Sequence, residues 1–246
     1  MKLLSIILLC TSSVFAQQTL RVNPGEIFQL TGKTFLLDSL VLGDSSQLLL
    51  DDNFDLTLIR CDYVTLGKGC AIIGIGKPGG QGLVGINSNS RAYSDGRPGT
   101  SGFAGISLIF NFRHLQLDGD FIINLTGGPG GDGGAGGTIN RIPSTTNPAV
   151  GTTSRYSSGV IPQPNQTRDA SFGEPGAGGA GGRGGNLTLS FPGEYTQLIK
   201  QHFIIINPGG IGGSAASMDV PIEGQQTGRP GAKGRKGKVV MIPQRR

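Results

Sequence analysis

The chain has 246 residues, of which 44 are glycine, about 18% against a usual ~7%. Charged residues make up 15% and aromatics 6%, tryptophan is absent, and the net charge is +5. Glycine costs helices and strands ~1 kcal/mol per site relative to alanine, which argues against an ordinary α/β enzyme or a helical bundle, while 36% hydrophobic content argues against simple disorder.

Residues 1–16 read as a cleaved secretory signal. Lys2 gives a positive start, Leu3 to Cys10 an apolar run, and Val14-Phe15-Ala16 a small-residue cleavage site. The run is far shorter than the ~20 residues of a membrane span, and no later segment replaces it, so no transmembrane segment is expected. Cleavage removes Cys10 and leaves Cys61 and Cys70. A pair in an exported chain favours a disulfide, against two small thiols stacked inside a solenoid. Two cysteines and two distant histidines do not make a zinc site.

Residues 17–75 form the first expected unit, a β-solenoid-like N-terminal region. Short apolar bursts such as Phe35-Leu36-Leu37, Leu48-Leu49-Leu50 and Ala71-Ile72-Ile73 alternate with turn residues such as Gly43-Asp44-Ser45-Ser46 and Gly67-Lys68-Gly69. Even spacing with few tight-hairpin dipeptides suggests a parallel β-helix pattern. Asp51, Asp52, Asp55 and Asp62 read as turn residues before they read as a catalytic or calcium cluster.

Residues 76–246 form the second expected unit. Glycine recurs every third residue, as in Gly76, Gly79, Gly82 and Gly85 or in Gly228, Gly231, Gly234 and Gly237. Tracts 127–137, 176–185 and 209–213 carry two such registers at once. A period of three matches the polyproline-II helix, with ~3 residues per turn and ~3.1 Å rise and no internal hydrogen bonds. Side-by-side arms bond one another, and two glycine faces mark an arm with neighbours on several sides. The two-register tracts are therefore expected inside the bundle, and tracts 76–85, 99–105 and 228–237 at its edges. Runs of only three or four triplets are too short for collagen. The expected fold is all-β: a parallel β-solenoid-like stem with a bundle of polyglycine-II arms, in three outgoing/returning pairs joined by polar loops.

Pro78-Gly79-Gly80, Pro129-Gly130-Gly131, Pro208-Gly209-Gly210, Arg97-Pro98-Gly99, Glu174-Pro175-Gly176 and Arg229-Pro230-Gly231 flank these loops. The alternation over residues 74–246 resembles the tip adhesins of T-even-type phage tail fibres, and springtail glycine-rich antifreeze proteins share the same brick. The phage resemblance implies a packed glycine platform whose intervening segments recognise a bacterial surface receptor. The signal segment departs from it and points to a cell-encoded surface or secreted protein. Bulky Arg183, Lys233 and Arg235 break the flat face an antifreeze needs.

Binding is expected in the loops Ile86 to Arg97, Thr138 to Glu174 and Ser214 to Thr227. Their Ser, Thr, Asn, Tyr and Arg content is paratope-like. The candidate binding residues are Arg91, Tyr93, Arg155, Tyr156, Asn165 and Arg168. Tyr and Arg are enriched at hot spots, and Asn165 is the most accessible of the Asn-x-Thr sequons at Asn124, Asn165 and Asn186. Arg229, Lys233, Arg235, Lys236, Lys238, Arg245 and Arg246 form a basic C-terminal stripe, read as a solvated edge or as a contact for phosphate-rich polymers. No aromatic interleaving supports specific nucleic-acid binding. His114 and His202 each precede a strand burst, and no hydrolase or phosphate-loop motif is present. The expectation is an extracellular or cell-surface, adhesin-like structural protein. It is expected to be a monomer without enzyme activity or cofactor, facing a cell-surface polysaccharide or an outer-membrane protein. The alternatives are a β-helix polysaccharide-active enzyme and a collagen-like matrix or fibre protein.

Overall fold

The computed structural model describes residues 18–86, 95–137, 173–216 and 228–245; residues 1–16, expected as a signal, lie outside them. Eleven strands appear in this order: β1 (Thr19–Val22), β2 (Ile27–Gln29), β3 (Thr34–Leu42), β4 (Gln47–Leu49), β5 (Leu56–Leu66), β6 (Cys70–Ile73), β7 (Ser107–Leu117), β8 (Phe121–Asn124), β9 (Leu187–Pro192), β10 (Phe203–Ile206) and β11 (Val239–Gln244). One six-stranded sheet runs β1-β3-β5-β7-β9-β11 and one five-stranded sheet runs β2-β4-β6-β8-β10. Every pairing is parallel. A 3-10 turn (Gly193–Tyr195) leads into one short helix, α1 (Thr196–His202), which buries Ile199 and carries Lys200 and His202 in its last turn, where cations suit the helix dipole.

These elements correct the expectation of an all-β fold with a β-solenoid-like stem carrying a bundle of arms with interleaved strands and loops. The described residues form a parallel α/β-type arrangement of two sheets and one short helix, and strands from both sides of residue 75 share each sheet. The apolar bursts beyond residue 76, read as strands interleaved with the arms, are strands. They are β7 to β11, and they extend the same two sheets that β1 to β6 begin.

The chain alternates between the sheets, so each coil adds one strand to both. Like side chains then stack in register. Ile59, Phe110 and Leu189 are aligned in one sheet; Ile72, Ile123 and Ile205 in the other. Phe121 meets Phe203 edge-on at 5.0 Å. Each fully buried side chain of this size contributes ~1.5–3 kcal/mol. The coil corners stack as well. Gly25, Ser45 and Gly69 all adopt left-handed φ (71°, 55° and 64°) and donate to Asp44, Lys68 and Asp120 carbonyls in the next coil at 2.8 Å. Ser45 is the one non-glycine residue with positive φ among the described residues. Its strain is the cost of a turn that glycine adopts freely.

The glycine tracts are excursions from these sheets. Arms 1 (74–86), 3 (125–137) and 5 (207–216) leave β6, β8 and β10; arms 2 (95–106), 4 (173–186) and 6 (228–238) return to β7, β9 and β11. The outgoing arms form one row and the returning arms another. Within a row the arms are parallel. Gly76, Gly79, Gly82 and Gly85 donate to Thr126, Pro129, Asp132 and Ala135 carbonyls at 2.7–2.9 Å. Between rows the arms run opposite ways. Gly128, Gly131 and Gly134 donate to Phe103, Thr100 and Arg97 carbonyls at 2.8–2.9 Å. One bond every third residue replaces the denser ladder of the sheets, and all these partners lie in the same chain.

Arm 3 is bonded to arms 1, 2, 4 and 5, and arm 4 to arms 2, 3, 5 and 6. Arm 2, expected at an edge, is bonded to arms 1, 3 and 4. Its amides toward arm 1 come from Arg97, Thr100 and Phe103, whose side chains are outside the layer. A single glycine register therefore does not mark an edge arm. Pro78, Pro98, Pro129 and Pro230 occupy registers whose other members donate no inter-arm bond, so the missing N–H costs nothing. Asparagines seal the junctions. Asn124 accepts from Thr126, Asn186 accepts from the Lys238 N–H at 2.9 Å, and the Asn207 amide reaches the Gly185 carbonyl at 3.3 Å. Two of the sequon asparagines are thus engaged in the scaffold.

The interior glycines have no room for a side chain. A Cβ on Gly131 would strike the Gly80 carbonyl, whereas one on Gly80 would sit 3.5 Å from the Thr100 hydroxyl. Gly131→Ala is expected to lose ~2 kcal/mol or more in denaturant unfolding, the usual range for overpacking, and Gly80→Ala less than ~0.5 kcal/mol. Equal losses would show that the close approach is not what requires glycine.

Candidate functional site

The loop anchors converge. Arms 1, 3 and 5 end at Ile86, Gly137 and Ala216, and arms 2, 4 and 6 begin at Asp95, Gly173 and Gly228. Cross-bonds hold these six ends at one end of the layer. Gly173 donates to Gly137, Ala216 to Gly176, and Gly96 to Glu174. Two carboxylates act as staples between neighbours in a row: Asp95 Oδ1 accepts the Glu174 N–H at 2.8 Å, and Asp132 Oδ1 accepts the Ser214 N–H at 2.7 Å. Gly96, Arg97, Glu174 and Ser214, expected in the loops, belong to the arms. Arg91, Tyr93, Arg155, Tyr156, Asn165 and Arg168 lie outside the described residues, in segments 87–94 and 138–172. The structure brings the anchors of those segments together.

A second concave feature lies on the outer face of the six-stranded sheet. Inward alternation along β5 buries Ile59 and Cys61, then resumes at Val64 and Leu66; β7 shows the same slip between Phe112 and Leu115. Two successive residues of each strand therefore face outward: Asp62 with Tyr63, and Arg113 with His114. The Tyr63 and His114 rings stack at 4.7 Å and 15°. Arg113 Nη1 lies 3.4 Å from Asp62 Oδ1. Arg60, Asp62, Asn111, Arg113 and Gln244 line a cavity of about 260 Å³ beside the stack. The signal legible in each run, Arg60 to Tyr63 and Asn111 to His114, is a break of the apolar alternation by two successive outward residues; their register match appears only in the fold.

The acidic residues do not converge. Asp51 is buried, accepting from the Gly32 N–H at 2.9 Å and from the Asn53 N–H and side-chain amide at 3.0 and 2.7 Å. It clamps two successive coil turns. Asp52 pairs with Lys77 at 3.1 Å, Asp55 lines a separate cleft with Phe54 and Phe103, and Asp62 lies on the sheet face. Among the described residues, no three His, Cys, Asp or Glu side chains group as metal ligands. The histidines are not equivalent: His114 sits inside β7, whereas His202 ends α1 and meets Asp120 at 3.0 Å.

The disulfide expected from exported cysteines is corrected. Cys61 and Cys70 are free, buried thiols, one within β5 and one at the start of β6 in the other sheet. Burial pushes both up to about 12 from the ordinary 9.0. Among the described residues no helix is long and apolar enough to cross a membrane. Comparison with family models, with curated proteins and with solved structures finds no match to this chain.

The Asn53 N–H, then Gly32 and the Asn53 side chain, hold Asp51 below its ordinary 3.8 against the opposing effect of burial. A depressed folded-state value means its contribution is complete above 3.8 and is lost as pH falls further. Asp51→Asn is expected to be less stable than the parent at neutral pH, the gap closing in acid; a gap constant with pH would contradict the clamp. The thiols give the opposite sign. Stability is full below 9.0 and declines as pH rises towards about 12. Native protein at mildly alkaline pH should resist thiol alkylation and label at both cysteines once unfolded; fast native labelling would show an open core.

Proposed function

We propose that this chain is an exported structural binding protein. Its glycine arms hold segments 87–94, 138–172 and 217–227 against a cell-surface polysaccharide or an outer-membrane protein. The observation that carries the reading is the cross-bonding of six arm ends at one end of the layer, with Asp95 and Asp132 stapling neighbours. Binding weakens when a partner must first order the binding surface. Anchors fixed by backbone bonds reduce that cost and let three variable-looking segments act on one target. Segment 138–172 spans 35 residues, and connections longer than ~12–15 residues tend to serve a function. Their Tyr, Arg, Ser and Asn content matches binding rather than turnover. Amides satisfied within one chain support a monomeric protein, and the N-terminal leader supports export.

Replacing Ser144 to Arg168 with a Gly-Ser linker is expected to abolish binding of the purified protein to intact Gram-negative cells. It should leave the unfolding midpoint within ~2 °C, since the replaced residues lie beyond the bonded arms. Retained cell binding by the folded variant would overturn the reading.

A further inference from the structure

The two edges of the arm layer differ in chemistry. At the arm 1 edge, Leu83, Val84 and Ile86 are exposed, and Lys77 is paired with Asp52. At the other edge, arm 6 carries Arg229, Lys233, Arg235, Lys236 and Lys238, all exposed. None of these five is within ion-pair distance of a carboxylate among the described residues. Residues 228–245 contain no Asp or Glu, and arm 5 contains none either. Lysine at a sheet edge blunts unwanted pairing. That role alone would place unpaired charge on both edges, whereas the one lysine of arm 1, Lys77, is paired with Asp52 beside exposed Leu83, Val84 and Ile86.

The arm holds these cations in two columns. Gly231, Gly234 and Gly237 bond back to Gly213, Gly210 and Asn207 at 2.8–3.0 Å, so the backbone beneath the charges is straight and tied down. Lys233 and Lys236 share one register, ~9.3 Å apart at three residues of ~3.1 Å rise. Arg229, Arg235 and Lys238 share the next. A nucleic-acid strand presents one phosphate per ~3.4 Å, much denser than either column. No aromatic residue lies in arm 6 to stack on a base.

Beside Lys233 is a shallow trough of about 410 Å³, lined by Thr126, Pro129, Pro208, Ile211 and the Gly209-Gly210 backbone. Ile211 is 68% exposed. Proline and isoleucine offer flat C–H surface, and the adjacent column offers positive charge. A pyranose presents the complement when it carries a carboxylate or a phosphate: an apolar ring face and an anionic edge.

We propose that this edge is a binding site for an anionic glycan, with a sugar ring in the trough over Pro129, Pro208 and Ile211 and its acidic group on Lys233. Neighbouring charges of the same polymer lie along Lys236, Arg235 and Lys238. The site is separate from the arm tips, so replacing 144–168 leaves it intact and its failure does not touch the tip reading.

The test uses the full chain with polygalacturonate, its methyl ester and a short DNA duplex as probes at ~50 mM salt, where screening is modest. The triple variant K233Q/R235Q/K236Q is expected to bind polygalacturonate about tenfold more weakly. The control R21Q/K33Q/K68Q, with the same loss of charge elsewhere, should change affinity less than about twofold. Ile211→Ser should weaken polygalacturonate but not DNA. Thermal unfolding confirms that each variant is folded, and Lys236→Gln alone serves if the triple is not. Equal losses in the two triples, equal binding of the methyl ester, or tighter binding of DNA than of polygalacturonate would overturn the proposal.

Discussion

One constraint organises the molecule: an extended backbone with a hydrogen bond to a neighbour only every third residue must approach that neighbour too closely for a side chain. Gly182 shows it from both sides. Its N–H donates to Gly128 at 2.8 Å, and a Cβ there would collide with the Phe103 carbonyl. Isolated, such a segment leaves its amides to water and keeps full chain entropy. Packed on several sides, it satisfies its amides without a hydrophobic core. The sheets supply what the arms lack. β6, β8 and β10 launch the outgoing row in register, and β7, β9 and β11 receive the returning one, so the arms inherit spacing set by a buried apolar ladder.

The division of labour between sheets and arms explains the placement of chemistry. In the sheets, coil stacking fixes which side chains meet, as Tyr63 and His114 do through their register. In the arms, two of every three positions serve the packing and the third is free. Asp51 and the junction asparagines are built into these supports, which is why acidic and amide residues that look available in the sequence are already committed to backbone partners.

Much of this was legible. Apolar bursts such as Phe121 to Asn124 and Phe203 to Ile206 coincide with β8 and β10, and the triplet period marks the segments that bond side by side. The sheets were harder to read across the glycine tracts. Strand partners such as Ile59 and Phe110 are separated by a long excursion, and no local pattern reveals that β5 and β7 are adjacent. The helix α1 was missed because about two turns preceded by Pro192 and Gly193 carry almost no periodic signal. Arm 2 was misplaced because Thr100 and Phe103 donate their amides while keeping their side chains outside, so glycine spacing undercounts its neighbours. Of the candidate site, the sequence showed which segments have binding composition. That their ends meet at one place follows only from the cross-bonds.

The prolines show how such an architecture tolerates change. Pro78, Pro98, Pro129 and Pro230 occupy registers that donate no inter-arm bond. An insertion of one or two residues would rotate that permissive column into the packed interior and expose a glycine face to water. Whole triplets preserve the phase. Arm length in such an architecture is therefore quantised, set by whole turns, with the distance between scaffold and tip adjustable in steps of ~9 Å.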